Sequence, residues 1–282
     1  MSDDHDRAAI DRLEARADAW GVAIESTLET LSSVVAFGSR GGVPVVLKVV
    51  RNPGDEWRAG EVLQAFGGRG MVRVYEQVEG AMLLERLRPA TPLAAVSLAG
   101  HDDEATDVLA DVIARMKPLA PPPGCATVER WGGGFARYLA TGDARVPREL
   151  VEAAQRTFLG LCATQREPRL LHGDLQHYNV LLDAGRGWLA IDPKGVVGEP
   201  EYEIGAALRN PFQRPGLFAA PRTVERRVRR LAYALRLDGE RVLAWGFAQA
   251  VLSALWSIED GEPVAAGHPA LRLAEMIRPI LA

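Results

Sequence analysis

The run LLHGDLQHYNVLLDAGRGWLAID, from Leu170 to Asp192, constrains this chain more than any other stretch. Asp174 is followed five residues later by Asn179, then by an apolar run, a turn, a second apolar run and Asp192. Asp and Asn are each ordinary turn formers when they stand alone. Phosphoryl transfer needs all three together: one carboxylate facing the acceptor hydroxyl, and an amide and a second carboxylate holding Mg²⁺ on a triphosphate. The spacing H-x-D-x-x-x-x-N, with an aspartate after the next two apolar runs, therefore predicts a phosphotransferase site.

A chain of 282 residues, 48% hydrophobic, can bury a sizeable core in one domain of two lobes or in two small domains. Its net charge of −4 and pI near 5.8 argue against a nucleic-acid partner, which leaves a basic footprint. Mild acidity suits a cationic small substrate. Cys125 and Cys162 form no C-x-x-C pair, and the first twenty residues carry neither the basic nor the apolar part of a signal peptide. No apolar run approaches the ~18 residues of a membrane span. The expectation is a soluble, cytoplasmic protein.

Ile10–Trp20 reads as a charged helix, and period-two patterns follow it. Strands are predicted over Val22–Leu28, Val34–Phe37, Val43–Val50, Val72–Val78 and Ala81–Glu85, with a helix over Asp55–Phe66 stopped by glycines. Past Arg88 long helical patterns take over: Asp102–Met116, Glu149–Arg166, Val224–Leu237, Glu240–Ile258 and His268–Ile280. The fold class is α+β. Residues 1–87 would form a small lobe of antiparallel sheet plus helix, and residues 88–282 a larger, mainly helical one.

Lys48 stands within the apolar strand VVLKVV, where a bare ammonium would be costly to bury. Its expected role is to reach the α- and β-phosphates, with Glu61 on the following helix as partner and Glu56 as the alternative. Asp174 is the expected catalytic base, and Asn179 and Asp192 are the expected Mg²⁺ ligands. His172 reads as a packing residue beneath the metal segment; Gln176 and His177 remain open. Backbone groups of Glu85 and Leu87, at the end of the last small-lobe strand, are the expected contacts for adenine.

HGDLQHYNVLL, GWLAIDPKGVVGEPEYEIG and GMVRVYEQVEGAMLLERL together resemble the aminoglycoside O-phosphotransferases, and within them the streptomycin 6-kinase and hydroxyurea phosphotransferase group. The similarity runs from about Leu31 to Glu262. It implies a two-lobed protein-kinase-like fold and transfer of the γ-phosphate of ATP to a small-molecule hydroxyl. Lys48, Asp174, Asn179 and Asp192 match the family's nucleotide lysine, catalytic aspartate and metal ligands. No G-x-G-x-x-G precedes Lys48, so the phosphate-covering loop would be Thr30-Leu31-Ser32-Ser33, with Ser32 and Ser33 as contacts. Pro193 fixes φ after Asp192 and no A-P-E follows, which favours a small-molecule kinase over a protein kinase.

For a guanidinium-bearing acceptor such as streptomycin, the resemblance points to carboxylates and an aromatic face. Glu199, Glu201, Glu203, Trp256, Glu259 and Asp260 are the candidates. The arginines Arg226, Arg227, Arg229 and Arg230 read as a solvated helix face, and Trp131–Phe135 as a flexible turn. Three other readings compete. A kinase of another small metabolite keeps the mechanism and changes the acceptor. A metal hydrolase using His172, Asp174 and His177 leaves Lys48, Asn179 and Asp192 without a role. A pseudokinase would bind nucleotide without turnover, yet all four matched residues are intact.

Overall fold

A computed structural model describes residues 2–281, with the side chains of 2–6 and 55 left aside. The chain opens with helix α1 (Ser2–Trp20) and strands β1 (Ala23–Glu29), β2 (Ser33–Arg40) and β3 (Val43–Val50). A 3₁₀ turn at Asp55–Arg58 leads into α2 (Ala59–Phe66), which ends on Gly67 in the left-handed conformation. Strands β4 (Val74–Val78) and β5 (Ala81–Glu85) complete an antiparallel sheet of order β1-β2-β3-β5-β4. Two of the predicted strands, Val43–Val50 and Ala81–Glu85, match to the residue because turn glycines bound each apolar run.

The two faces of this sheet have different neighbours. Val45, Leu47 and Val49 of β3 pack with Ala9, Leu13 and Ala17 of α1, whose four-residue spacing puts them on one helix face. The alternation of a strand then turns Val46 and Lys48 to the opposite face, where they line a cleft. That period-two switch carries Lys48 from the strand to the site.

Beyond Glu85 the chain enters the second lobe through β6 (Pro89–Pro92), α3 (Leu93–Leu98) and α4 (Asp102–Arg115). Next come β7 (Ala126–Thr127), α5 (Val128–Trp131), α6 (Gly133–Thr141) and α7 (Arg148–Cys162). Strands β8 (Arg169–Leu171), β9 (Val180–Asp183), β10 (Gly187–Ala190) and β11 (Val196–Gly198) form two small sheets, of order β10-β9-β6 and β7-β11-β8. Helices α8 (Gly205–Leu208), α9 (Pro215–Phe218), α10 (Pro221–Leu235), α11 (Gly239–Glu259) and α12 (Pro269–Ile277) complete the lobe.

Helix α11 begins on Asp238, whose carboxylate accepts from the Glu240 and Arg241 amides. It is long and apolar enough to cross a bilayer, yet it is a core element. Packed against α7, α8 and α12, it inserts Trp245 edge-on to Phe158 and Tyr202, with ring centroids 5.1 Å apart in each pair.

Two expectations are corrected here. Helix α6 occupies part of the stretch read as a flexible turn; Gly132 and Gly134 sit where Phe158 and Leu252 leave no room for a Cβ. Arg227 is not solvated. Only 1% exposed, it grips Asp102 of α4 through Nη2 (2.5 Å) and Nε (3.1 Å), and donates to the Ala207 and Asn210 carbonyls. Arg226 and Arg230 also pair with α4, at Asp103 and Asp107.

Candidate active site

The cleft between the lobes encloses about 620 Å³. Val35, Phe37, Val46, Leu84, Leu181 and Ile191 give it an apolar floor and roof, and Lys48, Glu56, Asp174, Asn179 and Asp192 give it a polar end. Lys48 Nζ lies 2.9 Å from Asp192 Oδ1 and 3.3 Å from Glu56 Oε2. Burial alone would lower the lysine's pKa, but the two carboxylates outweigh it and hold the value above 10.5. The side chain is a fixed cation. Glu56, not Glu61, is therefore the small-lobe partner: Glu61 pairs instead with Arg58, three residues before it. The 3₁₀ turn carries Glu56 outside α2, which shifts the phase expected of one continuous helix.

The turn between β1 and β2 is closed by its own hydroxyls. Thr30 Oγ1 accepts from the Ser33 amide at 3.0 Å and lies 2.9 Å from Ser33 Oγ. Ser32 Oγ instead reaches across to Glu56 Oε2 at 3.3 Å. Both serines line the cleft. At the cleft's other end, Glu85 and Leu87 are lining residues, but the Glu85 amide already donates to the Arg73 carbonyl. The Glu85 carboxylate accepts from the Arg73 amide and pairs with Arg186.

Below the cleft, His172 organises two segments at once. Its Nδ1 accepts from the Asp174 amide at 3.3 Å, which makes Nε2 the donor to the Ile191 carbonyl at 2.7 Å. The His172 carbonyl accepts from the Lys194 and Gly195 amides, each at 3.0 Å. Its own amide and that of Gly173 donate to the two oxygens of Glu203, at 2.6 and 3.0 Å. Burial pushes the Glu203 carboxyl above 4.5 despite these partners. The loop is thus tied by backbone bonds rather than by side-chain packing alone.

Asn179 Nδ2 donates to the Asp174 carbonyl at 2.8 Å and to Asp174 Oδ2 at 3.3 Å. That fixes the amide orientation and leaves its Oδ1 as a hard acceptor on the cleft wall with Asp192. Asp192 holds φ +55°, a conformation rare for a non-glycine residue. Arg209 Nη2 stands 3.8 Å from Asp174 Oδ1 while Nη1 donates to Gln249 at 2.9 Å. His177 is fully buried with neither ring nitrogen bonded, and burial holds its pKa well below 6.5. With His172 committed at both nitrogens, the hydrolase ligand set does not assemble. Among the described residues no group of three His, Cys, Asp or Glu side chains converges on a metal position.

A second cavity of about 180 Å³ opens on the far side of Asp174. Trp256, Asp260 and Glu262 line it, with Arg209, Gln249 and Lys194. Trp256 also packs edge-on against Trp131 at 5.5 Å, so it serves core and cavity together. The other expected acceptor carboxylates lie elsewhere. Glu199 is wholly buried, bound to Arg241 at 2.6 Å and to the Trp245 indole. Glu201 accepts from the Asp238 amide at 3.3 Å, and Glu203 is the clamp beneath His172. Glu201 and Glu203 ride a 3₁₀ turn, Pro200–Ile204, that Glu199 precedes as its cap residue, and all three are buried in the large lobe. Glu259 is paired with Arg137 at 3.0 Å, off this cavity's wall. Arg209, Gln249, Glu262 and Lys194 were not singled out from sequence. Two of them carry a signal: Lys194 stands two residues after Asp192, and Glu262 two residues after Asp260.

The family described as aminoglycoside/hydroxyurea antibiotic resistance kinase matches residues 21–261. Streptomycin 3''-kinase of Klebsiella pneumoniae is 38% identical over 239 residues, covering 83% of this chain and 87% of its own length. Streptomycin 6-kinase of Streptomyces griseus is 33% identical over 259 residues, covering 89% of this chain and 81% of its own. Among solved structures, a thermostable mutant of aminoglycoside phosphotransferase APH(4)-Ia, in ternary complex with ADP and hygromycin B, superposes with a TM-score of 0.65. It covers 94% of this chain and 97% of its own at 18% identity, and so speaks for the two-lobed fold. The chain belongs to the aminoglycoside/hydroxyurea antibiotic resistance kinases and is a phosphotransferase of small molecules.

Proposed function

We propose that the chain moves the γ-phosphate of Mg·ATP to a hydroxyl of a cationic aminoglycoside of the streptomycin type. The observation that carries this reading is the position of Asp174, whose side chain borders both the large cleft and the smaller acidic cavity. A carboxylate at that junction can orient an acceptor hydroxyl toward a phosphate held in the cleft and take its proton late in the transfer.

The donor set suits the metal. Asn179 Oδ1 and Asp192 are hard oxygen ligands, and Asn179 is oriented by its bonds to Asp174. They would hold Mg²⁺, which would supply positive charge to the phosphates of the nucleotide. Lys48 supplies fixed positive charge to the α- and β-phosphates. Ser32 and Ser33, which line the cleft with Lys48, would face the phosphates, and the backbone of Leu87, also on its wall, would meet adenine. On the acceptor side, Asp260 and Glu262 suit guanidinium groups and Trp256 offers an aromatic wall. Residues 1–87 would act as the nucleotide lobe and 88–282 as the catalytic and acceptor lobe. This reading takes the chain as a cytoplasmic enzyme acting on a small molecule, not on nucleic acid or a membrane.

The test is ADP release from purified protein with Mg·ATP, with and without streptomycin. Streptomycin-dependent turnover is expected, reduced on the order of 10²–10⁴-fold in Asp174→Asn. The relatives are named for two different hydroxyls, so phosphorus NMR of the product then identifies the one modified here. Turnover with another small acceptor and none with streptomycin would discard the substrate and keep the mechanism. An Asp174→Asn protein of normal rate would sink the catalytic assignment.

A further inference from the structure

Among the described residues, only Asp174 and Lys194 border both the nucleotide cleft and the acceptor cavity. The lysine is held in place. Its amide and that of Gly195 both donate to the His172 carbonyl, and Gly195 (φ +76°) sits so tightly on α2 that a Cβ there would meet Val62 Cγ2 at 2.5 Å. Its ammonium stands 6.0 Å from the centroid of the Trp256 ring.

Beyond that ring, Lys194 has no charged partner among the described residues. Lys48 has two carboxylate partners, and Arg209 is tied to Gln249 and faces Asp174. Among the described residues Lys194 makes no ion pair at all. An ammonium on the wall of the cavity that Asp260 and Glu262 also line works against a cationic acceptor, since like charges repel in a confined site. Acceptor binding therefore does not account for it. A group that does call for a cation passes through the junction: the phosphoryl in transit, whose three equatorial oxygens carry negative charge.

We propose that Lys194 is a catalytic residue that contacts those oxygens from the acceptor side, across the transferred group from Lys48. The inference rests on the phosphotransfer reading above. In the step, the acceptor oxygen bonds to the γ-phosphorus and the bond from that phosphorus to the β–γ bridging oxygen breaks. The acceptor proton goes to Asp174, and the electron pair leaves with ADP. Lys194 breaks no bond; its fixed charge is complementary to the transition state more than to the ground state.

The experiment compares wild type with Lys194→Met and Lys194→Arg. It measures kcat and acceptor KM, and the binding of Mg·ADP alone and of Mg·ADP with aluminium fluoride, a planar stand-in for the phosphoryl, with and without streptomycin. Lys194→Met is expected to lower kcat about 10²–10³-fold, the loss seen when one transition-state donor is removed. Acceptor KM should not rise, Mg·ADP affinity should hold, and affinity for the aluminium fluoride complex should fall in step with kcat. Lys194→Arg should recover part of the loss. A raised acceptor KM at unchanged kcat overturns the proposal and makes Lys194 an acceptor contact. Equal loss of Mg·ADP and aluminium fluoride binding also overturns it, in favour of a structural role, as does a Lys194→Met enzyme of normal rate. Wild type that binds neither Mg·ADP nor the fluoride complex overturns the phosphotransfer reading itself.

Discussion

At the scale of single residues, the polar end of the cleft is a set of mutually oriented groups. Lys48 bridges Glu56 from one lobe and Asp192 from the other, so each carboxylate constrains where the ammonium points. Removing the charge of Glu56 should release the lysine toward Asp192 alone. A hydrogen bond to a charged group contributes about 1.5 kcal/mol, equivalent to roughly tenfold in rate. We expect Glu56→Gln to lower kcat/KM for ATP by about that factor. Glu61→Gln, which loosens only the half-exposed pair with Arg58, should stay within about twofold. Steady-state kinetics on the two variants decides between them, and the reverse ranking would restore Glu61 as the lysine's partner.

At the scale of elements, α4 and α10 are joined by a buried ion pair that the sequence hides. Val224, Val228 and Leu231 mark the apolar stripe of α10, and Arg227, three residues after Val224, falls inside it. The period was legible; the acid that makes an arginine tolerable there lies 125 residues away, on α4. The same limit explains the misread glutamates, since Arg241 and Trp245, which enclose Glu199, come from α11. By contrast Asp174, Asn179 and Asp192 were readable because their geometry is local, set by one loop and one hairpin.

The Asp102–Arg227 pair gives α4 and α10 a defined pH response. Burial tends to raise the Asp102 carboxyl, but Arg227, Ser97 and Arg226 outweigh it and hold the value below 3.8. A carboxyl depressed on folding contributes stability that is fully present above pH 3.8 and is lost as pH falls through its lower folded value. Asp102→Asn leaves the Arg227 charge uncompensated in the core. At pH 7 it should cost about 3–5 kcal/mol in urea unfolding. The gap from wild type should narrow as the pH drops below 3.8. A gap that is constant with pH would mean that the carboxylate's charge is not what joins the helices.

At the scale of the whole molecule, hydrogen bonds tie the lobes along the back, and the Lys48–Asp192 pair spans the cleft at the front. The back is continuous hydrogen bonding. Val72 donates to the Ala190 carbonyl at 2.9 Å, Ala190 to that of Gly70 at 2.8 Å, and Arg186 to that of Gly68 at 2.6 Å. At the front, one ammonium on β3 spans to the segment after β10. A nucleotide filling the cleft would add contacts to both lobes. Any ligand that binds only the folded state stabilises it, by about 2.7 kcal/mol at a hundred times its Kd. For a protein of this size that corresponds to a rise in Tm of about 5 °C. We therefore expect Mg·ATP or Mg·ADP to raise Tm by about that amount, and Lys48→Ala to lose most of the rise while keeping a cooperative transition. Titrating either nucleotide during thermal melts measures both at once. An equal rise in the Lys48→Ala protein would remove the lysine from the nucleotide site and leave its two carboxylates as its whole purpose.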